Sequence, residues 1–208
     1  YLPTYSRVGR RGARAMLRVG VSARCHYTAT MDARTPFHTI GHSTHEIADF
    51  IGLLKQAGIV RLIDVRSIRR SRTNPQFNQD TLPAALAPDG IAYTAMADLG
   101  GRRSRQHNVA PEVNGYWENA SFHNYADYAL QPAFRAALAE LRTMGHTGRC
   151  AIMCAEVVWW RCHRRIIADH LLAAGEIVCH ILPDRIDAAS LTPGARLNAD
   201  GLVTYPAV

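Results

Sequence analysis

The chain has 208 residues, 48% of them hydrophobic and 20% charged, with a formal net charge of +7. That is room for one domain with a full core, in a composition that excludes disordered and fibrous classes. No apolar run approaches the roughly 18 residues a membrane span requires, so no membrane partner is expected.

The charge is unevenly placed. Residues 1–30 hold six arginines and no Asp or Glu; without them 18 basic and 17 acidic residues remain, a net +1. Residues 1–35 therefore read as a basic, flexible extension, either an organellar-type leader, a phosphate-binding tail or sequence ahead of a start near Met31. An α/β domain is expected over residues 36–183 and a low-information tail over 184–208. Five cysteines (Cys25, Cys150, Cys154, Cys162, Cys179) at irregular spacing make no disulfide framework and suit a reducing cytoplasm.

In chain order, Phe37 to Ile40 reads as a short strand running into Gly41-His42-Ser43. Ser43 or Thr44 is placed to cap a helix with Ile47, Phe50, Ile51 and Leu54 on one face and Gly58 at its end. Residues 59–65 form a second strand, apolar enough to be covered on both faces. A long polar loop follows, then a short helix over about 80–86 and a strand near Ile91-Ala92-Tyr93. Residues 98–122 are a second long loop, and loops of that length are usually functional. A helix over 124–144, interrupted near Pro132, precedes a central strand at Cys150–Cys154. A helix from about Cys162 to Ala174 and a last strand at 177–181 complete the pattern. The expected fold is a single α/β domain with a mainly parallel sheet flanked by helices. Its long loops, bearing arginines and aromatics, sit at the carboxyl ends of the strands.

Parallel strands bring their carboxyl ends to one edge, the place where ligands bind in open α/β sheets. Asp64 and Glu156 are the carboxylates at strand ends and are read as catalytic, to activate water or to stabilise a cationic transition state. The alternative for Asp64 is a structural pair with Arg66. His163 joins them as an acid or base, or as a residue that orients ligand. Gly41, His42 and Ser43 are read as a turn with amides free for an anion, although a helix cap alone explains Ser43. Arg66, Tyr93, Cys154, Cys162 and Arg164 complete the substrate-binding set. Three acid-free clusters supply arginines for a polyanion: Arg66, Arg69, Arg70 and Arg72; Arg102, Arg103 and Arg105; and Arg161, Arg164 and Arg165. Trp117 is read with them as a base-stacking residue.

The thiols were weighed for sharper chemistry. A phosphate-binding cysteine loop needs five residues between Cys and Arg, whereas Cys154 and Arg161 enclose six with no glycine. Cys154, Cys162 and His163 are soft donors, but their spacing is no established zinc pattern, so no metal and no cofactor are expected. Buried thiols also behave as small hydrophobes, the reading given to Cys150 and Cys179.

Gly41-His42-Ser43, Asp64-Val65-Arg66, Pro75-x-Phe77, Leu99-Gly100-Gly101, Phe122-x-x-Tyr125, Cys154-Ala155-Glu156, Cys162-His163-Arg164 and His180-Ile181 stand in order between about Thr39 and Leu182. In this the chain resembles the domain of unknown function 488 family. It departs from the family pattern at Val157–Arg161, where a charged, Pro-containing turn is usual and Val-Val-Trp-Trp-Arg stands instead. The resemblance implies a single α/β domain with a shared crevice, and it implies a nucleic-acid role in which modified pyrimidines are excised from DNA. A glycosylase would grip phosphates, flip a nucleotide into a pocket, stack the base and cleave one glycosidic bond. The leading expectation is therefore a monomeric, cytoplasmic DNA glycosylase for a modified pyrimidine such as 5-hydroxymethyluracil. Lys55, the only lysine, sits mid-helix and offers no Schiff base. The rival expectations are a thiol- or metal-dependent enzyme using Cys154, Cys162 and His163, and a non-catalytic nucleic-acid-binding module.

Overall fold

The computed structural model describes residues 35–207. The expectations for the N-terminal extension lie outside the described residues. Six short strands, the central ones buried on both faces, form one sheet: β1 (Phe37–Gly41), β2 (Arg61–Asp64), β3 (Ala92–Ala95), β4 (Cys150–Cys154), β5 (Val178–Ile181) and β6 (Ile186–Ala188). The strand order is β3-β2-β4-β1-β5-β6, parallel from β3 to β5 with β6 antiparallel at the edge. Leu62 and Ile63 show the principle: each is fully buried, and they belong to cores on opposite faces.

The helices divide between those faces. α1 (Ile47–Gln56) and α2 (Leu82–Leu86) bury Phe50, Leu54, Leu82 and Leu86 on one side. α3 (Ala120–Ala129), α4 (Pro132–Thr147) and α5 (Arg164–Ala173) bury Tyr125, Phe134, Leu141, Ile166 and Leu171 on the other. β1 and β4 are neighbours, yet the chain leaves β1 toward α1 and β4 toward α5. Neighbouring strands whose exits diverge open a crevice between them, the topological switch point of such sheets. Gly58 (φ 66°) and Gly175 (φ 81°) adopt the left-handed conformation that ends α1 and α5.

Several expectations are corrected at the level of elements. The single interrupted helix is two: α3 starts at Ala120, where the Asn119 side chain accepts from the amides of Ser121 and Phe122, and Pro132 opens α4. Neither Ser43 nor Thr44 caps α1, whose cap is Glu46 without a side-chain bond. Cys150 is the buried thiol expected, its pKa pushed up to about 12 by burial. Cys179 is disulfide-bonded, so it is not the free thiol foreseen. Among the described residues no helix is long and apolar enough to cross a membrane.

Residues 184–207 pack onto the domain and are not the low-information tail expected from the sequence. β6 pairs with β5, and β7 (Arg196–Leu197) with β8 (Val203–Thr204) forms a small hairpin. Tyr205 is fully buried, donating its hydroxyl to Asp169 of α5 at 2.8 Å and its amide to Asn114 Oδ1 at 3.0 Å. Asn114 in turn donates to Asp127 at 2.7 Å, so this segment ties the 98–122 loop to α3 and α5. Removing the hydroxyl leaves a buried carboxylate short of a donor. Tyr205→Phe is expected to cost about 1–3 kcal/mol in a urea unfolding curve with unchanged slope; a midpoint equal to wild type would refute the clamp.

Candidate active-site crevice

A cavity of about 570 Å³ lies beyond the carboxyl ends of β1, β2 and β4. The strand-end segments 42–44, 66–68 and 154–156 line it, with Arg70, Ser71, Asn74, Gly101, Arg102, Ser121, Phe122 and Arg161–His163. The convergence inferred from the alternation of strands and helices is thus the actual geometry. Tyr93 and Asp64 are not on this wall.

Asp64 is fully buried, with both oxygens committed. Oδ1 accepts from the Arg66 amide at 3.0 Å and from Nε at 2.9 Å; Oδ2 accepts from Arg66 Nη2 at 2.6 Å and from the Tyr93 hydroxyl at 2.7 Å. Arg66, 4% exposed, also donates to Phe77 O at 2.6 Å and to His42 Nε2 at 3.1 Å. Burial disfavours its charge, but the bonds and charge of Asp64 outweigh that and raise its pKa. Burial, then the bond to Asp64, raises that of Tyr93. This cage corrects the catalytic reading of Asp64: a carboxylate with no oxygen free and no solvent access cannot activate water. Asp64, Arg66 and Tyr93 hold the β2 turn in shape.

His42 lines the crevice stacked on Phe77, ring centroids 4.3 Å apart. Its Nδ1 donates to Ser43 O at 2.9 Å while Nε2 accepts from Arg66, and burial lowers its pKa to about 4. The ring is neutral, with both nitrogens engaged. The amides of His42 and Ser43 donate to Cys154 O and Ala155 O, so they are not free for an anion as expected. Gly41 matters for space rather than for a turn. A Cβ on it would lie 1.9 Å from the Glu156 carbonyl oxygen, which crosses β1 at that point.

Glu156 is exposed and, among the described residues, is the only carboxylate on the crevice wall, which also carries Arg66, Arg70, Arg102 and Arg161. Arg164 is 1% exposed and lies behind the wall. It donates through Nη2 to the Glu156 carbonyl and through Nε to Cys162 Sγ at 3.3 Å, so it positions the 155–162 loop rather than touching substrate.

Cys154, Cys162 and His163 do come together. His163 Nδ1 is 3.5 Å from Cys162 Sγ and 3.9 Å from Cys154 Sγ, and its Nε2 meets Val65 O at 3.2 Å. A hydrogen bond from Cys154, the neighbouring His163 and Arg164 push the Cys162 pKa far down, against the effect of burial. That bond to Cys162, then burial, drives the Cys154 pKa up.

The arginine clusters separate. Arg70, Arg102 and Arg161 line the crevice, Arg70 also pairing with Asp80 at 2.8 Å. Arg72 and Arg105 are exposed away from the wall. Two others are corrected. Arg103 lies 3.8 Å over the Tyr128 ring and donates to the Gly100 and Ala97 carbonyls, so its guanidinium is committed; Arg69 has Nε and Nη2 buried without a hydrogen-bond partner, so those two donors are not presented at the surface to a phosphate. Trp117 is corrected too: at 7% exposure it stacks on Phe122 at 4.8 Å inside the core and offers no face to a base. Residues not singled out from the sequence also reach the wall, among them Ser67, Ile68, Asn74 and Ser121. Ile68 (53% exposed) and Trp160 (45%) are the exposed large apolar side chains nearest the arginines in sequence.

A parallel α/β sheet with a basic, thiol-bearing crevice at its switch point is the class that fold and site define. Within that class, residues 46–171 match the model for the domain of unknown function DUF488, and the chain belongs to that family. The match leaves Gly41–Ser43 and His180-Ile181 outside its bounds. No curated protein and no solved structure matches the chain.

Proposed function

We propose that the protein is a DNA glycosylase-type hydrolase that excises a modified base, with Glu156 as its catalytic carboxylate. The observation that carries this reading is one exposed carboxylate amid arginines in a cavity of about 570 Å³, a size suited to a small organic ligand such as a nucleoside. Arg102 and Arg161 would hold phosphates flanking a flipped nucleotide, while Trp160 and Ile68 supply apolar surface against a base. Glu156 would take a proton from water as the glycosidic C–N bond breaks; the hydroxyl oxygen adds to the sugar carbon, and the proton passes from Glu156 to the departing base, directly or through solvent, which restores the carboxylate. Its charge would also stabilise the cationic sugar. Lys55 of α1 pairs with Asp89 and does not line the crevice, so no lysine is placed for a Schiff base and the expected product is an abasic site with an unbroken backbone.

The test is a panel of duplexes, each with one modified pyrimidine, treated with alkali after incubation. Alkali-labile product is expected for one base, with Glu156→Gln slower by about 10²-fold or more and as stable as wild type. Direct nicking, binding without turnover across the panel, or full activity in Glu156→Gln would each overturn the proposal.

A further inference from the structure

The sulfur–imidazole cluster has no role in glycosidic cleavage, and its geometry asks for one. Cys154 Sγ, Cys162 Sγ and His163 Nδ1 lie within 4.8 Å of one another, Cys154 from the end of β4 and the other two from the turn into α5. Adjacent residues can converge because the backbone changes conformation between them. Cys162 is extended (φ −130°, ψ 148°), whereas His163 is already helical (φ −57°, ψ −17°).

The orientation of the imidazole is set from behind. The Val65 carbonyl can only accept, so Nε2 carries a proton, and the ring turns its Nδ1 toward the two sulfurs. A histidine ligand to a metal is typically held in this way, its far nitrogen donating to a carbonyl. Gly101 packs against the ring; a Cβ there would stand 2.4 Å from Nδ1, so a larger residue would displace the imidazole.

Charge points the same way. Arg164 is fully buried, and among the described residues it has no carboxylate partner. A buried guanidinium is costly without an anion, and the group its Nε meets is Cys162 Sγ at 3.3 Å. Beside it, two sulfurs and an imidazole nitrogen converge within 4.8 Å of one another, a cluster of soft donor atoms at the edge of the crevice.

We propose that Cys154, Cys162 and His163 bind one zinc ion, with the fourth coordination position open to the crevice beside Glu156. Two sulfurs and one imidazole nitrogen are a soft donor set suited to zinc. Three protein ligands with an open position are the pattern of sites that bind water or substrate, not of closed structural sites. Binding forms two Zn–S bonds and one Zn–N bond; both cysteines bind as thiolates, their thiol protons passing to solvent, and the two thiolate charges neutralise the ion. The inference does not rest on the glycosidic reading, because metal content is measured without DNA.

The experiment incubates the purified full chain with zinc, removes unbound metal by gel filtration and measures zinc per chain by mass spectrometry. A parallel sample is loaded with cobalt and its absorption recorded. One equivalent of zinc is expected, with thiolate-to-cobalt charge transfer and the intense ligand-field bands of a four-coordinate ion. Cys162→Ser and His163→Gln, checked for folding by circular dichroism, should each weaken binding by at least the 10–100-fold known for outer-shell partners. Wild-type protein that retains no zinc, or a cobalt spectrum without the thiolate band, would overturn the proposal. The wild-type cobalt spectrum decides the matter even where a variant fails to fold.

Discussion

Asp64→Asn lowers the unfolding free energy by about 3–5 kcal/mol, the cost of removing one partner from a buried ion pair. Domains of this size are stable by about 5–15 kcal/mol in all, so the variant sits near the edge of folding. The cause is local. Arg66 is 4% exposed and keeps its charge because Asp64 accepts from its Nε, Nη2 and backbone amide. An amide in that place leaves the guanidinium buried and uncompensated, and it also puts an NH2 group where a donor stands. Tyr93→Phe removes a single hydroxyl and costs less, about 1–2 kcal/mol. A double replacement, Asp64→Leu with Arg66→Met, should recover much of the loss, since well-packed apolar pairs often substitute for buried ion pairs. Guanidinium unfolding of the four proteins is the measurement, and an Asp64→Asn curve superimposed on wild type would falsify the caged reading. The result bears on every activity assay: a dead Asp64→Asn enzyme says nothing about catalysis unless its fold is intact.

Gly41→Ala is the second large effect. Its Cβ would lie 1.9 Å from Glu156 O, 2.6 Å from Glu156 C and 2.7 Å from Val157 Cα, all backbone atoms that cannot rotate away. Either β1 shifts against β4 or the Glu156 loop is pushed off the strand. Overpacking of this kind costs about 1–3 kcal/mol and more where the neighbours are rigid. Arg164 clamps the same carbonyl, so the loop yields little and the upper end is expected. Gly52→Ala is the control. It lies in α1 with nothing within 4 Å of its Cβ position, and it should stabilise by about 0.5–1 kcal/mol. Thermal denaturation of both variants decides; equal shifts in the same direction would show that the contact at Gly41 is relieved elsewhere.

Much of the framework was legible because it rests on local pattern. Alternating apolar runs, a glycine at the end of α1 and a proline at the head of α4 placed the elements, and parallel pairing then put residues 42, 66 and 156 at one edge. What escaped depends on pairs distant in sequence. Tyr205 meets Asn114 and Asp169, 91 and 36 residues away, so nothing local marks the final segment as part of the core. Asp64 and Glu156 look alike as acids at strand ends. They differ because the Arg66 side chain folds back onto Asp64, whereas Arg164 takes the Glu156 carbonyl and leaves its carboxylate exposed. Trp117 stands near arginines in the chain, yet Phe122, Tyr205 and Arg165 enclose it. The convergence of Cys154 with Cys162 and His163 has no spacing signature, because β4 and the turn into α5 meet only in three dimensions.

The insertion of β4 between β1 and β2 also orders events in time. As the chain is made, the two strands that present His42 and Arg66 come first, with an empty lane between them. Neither has its inner neighbour until residues 150–154 arrive, and pairing across such a separation is slow compared with local helix formation. The strand that fills the lane also delivers Cys154 and Glu156, with Cys162 and His163 following within ten residues of them. The crevice and the centre of the sheet are therefore completed by the same late step, so no earlier intermediate of this chain holds the assembled crevice.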